Sequence, residues 1–487
     1  MSLPSKHRLW RCFFSRSPIF TTLTAVCCIQ LAWAQDHRPA ASSPSTEASA
    51  PPTTAPSESL RVQSVGNGLI QYLNRFASGQ SLQHNLQQTQ ALESQLGEAV
   101  RQHPEYQAAL AQREGNQQGV KQAWSTYLPQ VAINSGTGAR RINGNERPGA
   151  ATGYTVSQML FDFGSTGARV SAAEARESAS QSGLAAKRQE LAFKAIAAWH
   201  ELFRAQQQWA LHELNVRSRQ EMAEFVKERA ELGGSAFSDV LRVRARQADA
   251  QASLTQAQFR LRSAQANWFE AWGQAAPTQP LGLPEAQLKS LESYNDKSSL
   301  VRVFASVQQA LANSVASEKD AQAQSSARWP SLNLELTHAK NPYATTPENE
   351  YDRSSLLVFR YNAYTGGADF AKTEQALARA RQSAQEAETE ARKIERMLSQ
   401  TLAEVDNASA TLKARQMASG VAADTLEAVR EQFAFRRGTL LDLLKAQEDL
   451  FYAGRDLIDA QVDTSVARFR LAWLVSELEA QYPQIGP

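Results

Sequence analysis

A proline-free helical stretch of nearly seventy residues occurs twice in this chain, about 200 residues apart. Each copy follows a short strand pair and precedes a glycine-containing turn and a returning helix. The first copy predicts strands near 128–163 (Leu128–Gly136 and Tyr154–Phe163), a long helix over 165–232, a turn at Gly233-Gly234 and a return helix over 235–272. The second predicts strands near 331–364 (Ser331–His338 and Ser354–Tyr364), a long helix over 367–436, a turn at Arg437-Gly438 and a return helix over 439–478. Leu128-Pro129 and Trp329-Pro330, then Asp239-Val240-Leu241 and Asp442-Leu443-Leu444, keep nearly the same spacing in both. A repeat of this size dictates the architecture. At 1.5 Å per residue the helix is about 100 Å long, beyond what an ordinary globular domain uses.

The helical stretches contain no proline between Ser165 and Ala276 or between Gly366 and Tyr482, and they are rich in good helix formers. Alanines recur at helical spacing, as at Ala172, Ala175 and Ala179, and again at Ala384, Ala387 and Ala391. Small seam residues let helices approach closely while Glu and Arg solvate the other faces. No strict leucine zipper is present, which disfavours a simple parallel rod. A wall of antiparallel helices is the expectation, with an ordinary long-helix bundle as the plainer alternative.

The short segments alternate with period two. Leu332, Leu334 and Leu336 share one face and Asn333, Glu335 and Thr337 the other, while Val131 and Ile133 oppose Ala132 and Asn134. Strands of about 9–11 residues with this rhythm suit a transmembrane β-barrel; the plainer reading is two hairpins in a soluble domain. The polar segments 139–153 and 339–353 read as exposed loops. Beyond the N-terminal region no apolar run reaches about 18 residues, so a membrane role must fall to strands. Four strands cannot close a barrel, and open edges in lipid are costly. Several chains must therefore each donate four strands; three would give twelve.

The N-terminal residues read as an export leader. Lys6, Arg8, Arg11 and Arg16 precede the apolar run Ile19–Leu31, and Ala32-Trp33-Ala34 fits a cleavage site. A retained anchor and lipidation at Cys27 or Cys28 are the alternatives, and Val26 fits the latter poorly. Losing four positive charges would take the formal net charge from +2 to −2, so nothing points to nucleic acid. All three cysteines (Cys12, Cys27, Cys28) lie in this leader, which leaves no disulfide scaffold, thiolate site or cysteine nucleophile in the mature chain. The expected order is a leader over 1–34, a disordered Pro/Ser/Thr-rich linker over 35–59, an N-terminal segment of unassigned structure over 60–95, and repeats over 96–283 and 284–480.

Thr439 is placed to cap the second return helix with Asp442 as the capping-box carboxylate. Ser235 and Ser238 are the candidate caps beside Asp239 in the first. In a ring of identical chains, one such carboxylate per chain attracts cations and can lock to basic partners, for which Arg436 and Arg437 are the nearest candidates. No catalytic constellation appears: His37, His84, His103, His200, His212 and His338 lack metal spacing, and there is no phosphate loop or nucleophile elbow. Neither an enzyme, a cofactor nor a metal is expected.

These residues carry a resemblance. The leader, the linker, the duplicated strand pair with its long helix, the run Leu160–Gly164 with its counterpart Tyr364–Gly367, the start His103-Pro104-Glu105-Tyr106 and the Asp-Val-Leu and Asp-Leu-Leu turns resemble the TolC family of bacterial outer-membrane export channels, over roughly Leu96 to Leu478. That resemblance implies a mainly α protein with a small β portion. A homotrimer would close a twelve-stranded barrel in outer-membrane lipid, continued by a long antiparallel α-helical tunnel (an α-barrel) across the periplasm. It also implies docking of a periplasmic adaptor and an inner-membrane ABC or proton-driven transporter at the helix turns. The docking turns map to Gly233, Gly234, Ser235, Gly438 and Thr439, and the mouth to Asp442, Arg436, Arg437, Phe433, Lys445 and Asp239. The family's second carboxylate falls on Lys445, and its gating aromatic and basic positions on Phe433 and Gly438. The expected role is a passive duct, for type I protein secretion first and for drug or metal efflux second. A periplasmic coiled-coil adaptor without a pore is the alternative of another class.

Overall fold

The computed structural model of the chain describes residues 66–77, 92, 94–142, 144–294, 296–341 and 350–485. The expected leader and linker, most of segment 60–95 and the middle of the 339–353 connection lie outside the described residues. Segment 60–95 does include one helix, α1 (Asn67–Ala77). Further on, α2 (Pro104–Trp124) starts at the His103-Pro104 signature for a local reason. His103 is extended and its side chain accepts the Glu105 N–H, while Pro104 occupies a first-turn position that needs no donor.

Strands β1 (Gln130–Ile142) and β2 (Asn145–Phe161) lead into α3 (Ser165–Glu231), which returns as α4 (Phe237–Trp272). A connection then runs to α5 (Lys297–Val303) and α6 (Ala305–Ser326). The second copy follows with β3 (Ser331–Lys340), β4 (Tyr351–Arg360), α7 (Ala368–Ala434), α8 (Leu440–Leu474) and the short α9 (Leu478–Gln481). Both long helices have 67 residues. Each begins at a corner built from two consecutive left-handed residues: Phe163 and Gly164 (φ 54° and 84°), then Gly366 and Gly367 (φ 65° and 84°). At the first corner the Asp162 carboxylate accepts the N–H groups of Gly164 and Thr166, at 3.2 and 2.6 Å. This satisfies donors that a helix start leaves open.

The strands form one antiparallel sheet in the order β1-β2-β3-β4. Two expectations need correction. Segment 139–153 is largely not a loop: β1 and β2 pair in register from Gln130↔Ser157 to Ile142↔Asn145. Only Asn143-Gly144 joins them, and Gly144 has φ 84°. Asn-Gly is the strongest two-residue hairpin signal, and here it outweighs the polar composition around it. In the second copy, β3 and β4 likewise extend to Lys340↔Tyr351, and β4 ends at Arg360, short of Tyr364, because the chain must turn at the glycine corner.

Helix packing follows from the repeat. Toward the strand end the contacts run α2–α3–α6–α7, and toward the turn end α4–α3–α8–α7. The central helix α8 is buried along much of its surface, whereas α4 and α7 each bury a single stripe. Between the two ends lies an aromatic waist. Trp199, Trp268 and Trp272 pack together, and the indole N–H groups of Trp199 and Trp272 donate to the Gly282 and Ala195 carbonyls at 2.9 and 3.0 Å. Phe193, Trp473 and Phe304 join the second copy to it. Among the described residues no helix is long and apolar enough to cross a membrane.

Candidate functional site

Both helix turns use one device, with different residues. In the first, the Gly233 N–H donates to Ala230 O and the Gly234 N–H to Arg229 O, at 3.0 and 2.8 Å, and Gly233 is left-handed (φ 75°). This is a Schellman ending. In the second, Arg436 donates to Phe433 O and Arg437 to Gln432 O, at 3.1 and 2.8 Å. The left-handed residue is therefore Arg436 (φ 58°), not part of an Arg437-Gly438 pair as the sequence suggested. Gly438 lies close to the preceding turn: a Cβ there would sit 3.2 Å from the Phe433 backbone nitrogen, a tight contact.

The helix starts differ too. Thr439 and Asp442 form a complete capping box: Thr439 Oγ1 accepts the Asp442 N–H at 3.2 Å, and Asp442 Oδ2 accepts the Thr439 N–H at 3.3 Å. The first return helix instead starts at Ala236, with no side-chain cap. Ser235 and Ser238 do not cap it, because Ala236 takes the extended cap conformation between them. Asp239 pairs with Arg242 at 3.3 Å. Arg436, Arg437 and Lys445 are exposed, and among the described residues none of the three pairs with Asp442.

Phe433 is buried at 6% exposure and meets Phe225 of α3 edge-on, with ring centres 6.4 Å apart. The Arg229 guanidinium lies over the Phe433 ring at 5.1 Å, and its Nε donates to Gly234 O at 3.1 Å. Phe225 and Arg229 thus tie the two turns together, and sequence reasoning missed both. Their spacing of four residues, one face of α3 just before the turn, was the available signal. Deeper in, buried Arg219 donates to Leu444 O and Gln447 Oε1 at 3.3 and 3.1 Å.

At the opposite end the sheet is two-faced. Register puts Val131, Val156 and Leu336 in one row and Ile133, Tyr154 and His338 in the next, with Leu334 and Leu357 on the same face. The other face carries Thr155, Thr337 and Ser354 in one row and Ser157, Glu335 and Leu356 in another, so it is mainly polar. Apolar side chains on the first face are open, Ile133 at 83% and Phe359 at 67% exposure. Where strands meet helices, aromatic rings gather: Trp124 on Tyr127, Phe163 between Phe161 and Trp329, and the Arg328 guanidinium over Phe370 at 3.9 Å. An apolar band flanked by an aromatic girdle is the pattern of a membrane barrel.

The helix histidines have structural surroundings. His200 Nδ1 lies 2.7 Å from Ile196 O and Nε2 lies 2.8 Å from Ser465 Oγ, and burial pushes its pKa down to about 4. His212 is pushed to about 4 by burial, then by Arg260 and Arg455. No group of three His, Cys, Asp or Glu among the described residues could hold a metal.

A family model described as outer membrane efflux protein matches residues 95–274. The outer membrane efflux protein BepC of Brucella suis is 25% identical over 360 residues, spanning 72% of this chain and 77% of BepC. Among solved structures, a membrane protein from Pseudomonas aeruginosa superposes with a TM-score of 0.72 at 17% identity, over 79% of this chain and 92% of that one. VceC of Vibrio cholerae gives 0.72 at 16% identity, over 79% and 96%. At these identities the solved structures speak for the fold alone.

Proposed function

Because the chain belongs to the outer membrane efflux protein family, of the TolC type, we propose that three copies close into one passive export duct spanning the outer membrane and the periplasm. The chain itself is an outer membrane efflux channel and not an enzyme. The observation that carries the reading is the sheet: four strands, mainly apolar on one face and mainly polar on the other, whose outer members β1 and β4 have no further strand partner among the described residues. An open edge at membrane depth leaves backbone groups unsatisfied, and pairing β4 of one copy with β1 of the next removes every edge.

The duct acts in a tripartite assembly with a periplasmic adaptor and an inner-membrane ABC or proton-driven transporter, which supplies the energy. Type I protein secretion is the first reading of its cargo, from the resemblance of the second repeat. Efflux of drugs or metals is the second, favoured by the name of the relative BepC. Crosslinking in intact membranes followed by co-purification tests this. An ABC transporter recovered with the channel supports secretion, a proton-driven pump supports efflux, and a soluble monomer overturns the channel.

At the mouth, Asp442 forms a carboxylate ring and Arg436 or Arg437 its basic counterpart across the subunit boundary. Their exposure beside the turn supports this. Asp442→Asn keeps an acceptor for the capping box but removes the charge. Single-channel recordings should then show cation preference falling about two- to threefold at unchanged melting temperature. Unaltered ion preference would sink the ring.

A further inference from the structure

Helix α1 lies outside the family-matched residues 95–274, yet it is packed against both helical hairpins. Eleven residues are too few for a stable isolated helix, so its partners hold it in place. Leu69, Ile70, Leu73 and Phe76 form its buried face. Toward the first hairpin, Tyr72 donates its hydroxyl to Gln207 Oε1 at 2.7 Å, and Phe76 stacks on Phe203 with ring centres 6.5 Å apart. Toward the second, Asn67 Oδ1 accepts from Arg430 Nη1 at 2.5 Å. Gly66 fits between Leu426 and Gln447 of that hairpin and Ser218 of the first. Leu73 presses on Gly454, where any Cβ would come within 2.7 Å of Leu73 Cδ2. A mid-helix glycine is normally unfavourable; at 454 its bare backbone is what admits Leu73.

We propose that α1 is a built-in clamp across the two hairpins, holding their turns in one relative position, so that widening the mouth requires α1 to release the second hairpin. Its lower contact sits near the turn end: Arg430 is about one helical turn from Ala434, the last residue of α7, roughly 6 Å along the axis. A brace at that level resists relative displacement of the turns more than one at the waist. The clamp's effect on conduction rests on the channel reading; its effect on the turns does not.

Two experiments on the full chain separate the ideas. The mature chain is expected to hold no native cysteine, so Leu73→Cys with Gly454→Cys offers one engineered pair. Leu73 Cγ lies 3.3 Å from where a Cβ at 454 would sit, within reach of a disulfide. In planar bilayers the oxidised protein should open about tenfold less often than the same protein after dithiothreitol, with each single substitution insensitive. A disulfide that forms without changing opening overturns the clamp, and so does failure of the pair to crosslink. Independently of conduction, spin labels at Ser235→Cys and Arg437→Cys should show a broader, longer distance distribution when Leu73→Ala is added. An identical distribution overturns the clamp even if no current is seen. Wild-type protein that carries no current counts against the channel reading instead.

Discussion

At the scale of single residues, the second turn stores strain that the first avoids. Arg436 occupies the left-handed position that Gly233 fills in the first copy. A side chain there costs roughly 1 kcal/mol, so Arg436→Gly should raise stability by about that amount in chemical denaturation. Gly438→Ala should lower it, because its Cβ would press on the Phe433 backbone. Equal stability of the three proteins would refute the assignment. The strained residue was not legible in the sequence, where Gly438 attracted the turn; one glycine answers a steric need and the other, absent one, a conformational need. His200 makes a second case. Ile196 O can only accept, so Nδ1 carries the proton and the buried ring is neutral. Its pKa in the fold is about 4 against an ordinary value near 6.5. The unfolded chain therefore binds more protons between these values, and the stabilisation is complete above about pH 6.5 and lost progressively as pH falls toward 4. The full difference is on the order of 3 kcal/mol. His200→Gln should flatten the decline in denaturation midpoint between about pH 7 and 5 relative to the parent; an unchanged slope would place the effect elsewhere.

At the scale of elements, the β1–β2 hairpin shows where composition misleads. Arg, Asn and Glu between 139 and 153 argue for a loop, yet backbone pairing continues to the tip because a two-residue Asn-Gly connection fixes the register. Toward the hairpin tip the period-two signal of the sequence disappears while the strand pairing persists. Where lipid is expected, the signal returns, as at Leu332, Leu334 and Leu336. The two faces then predict opposite outcomes. Ile133→Lys places a charge on the apolar face and should cost about 2–4 kcal/mol of membrane stability if it lies near mid-bilayer. Thr337→Lys, on the polar face, should be tolerated. Yields of heat-modifiable protein in outer-membrane fractions check both, and equal yields would contradict the assignment of faces. The helices were more legible than the strands, since a proline-free run such as 368–434 leaves few alternatives. Their mutual contacts were not: nothing in a 3.6-residue period says that Phe433 meets Phe225 and Arg229 instead of water.

For the whole molecule the decisive quantity is how many copies would close the proposed ring. Each chain presents unlike edges, β1 and α2 or α4 on one side and β4 and α7 on the other. Such a head-to-tail contact repeats until rotation closes it. Two copies would supply eight of these strands, and an eight-stranded barrel is about filled by its own side chains. Three supply twelve, the smallest closed number here that leaves a passage. The face assigned inward, with Thr155, Thr337, Ser354 and Glu335, suits a wet lumen. The helical wall is compatible with ring closure, because α4 and α7 each bury a single stripe and leave the rest of their surface open to a neighbouring copy. Progressive amine crosslinking of the purified protein should therefore give a ladder that stops at three protomers. The same species should survive unheated detergent electrophoresis and collapse to one protomer on boiling. A ladder ending at two would leave no duct, and one ending at four would make a wider barrel with less curvature per strand; either would replace the trimer as the closed form.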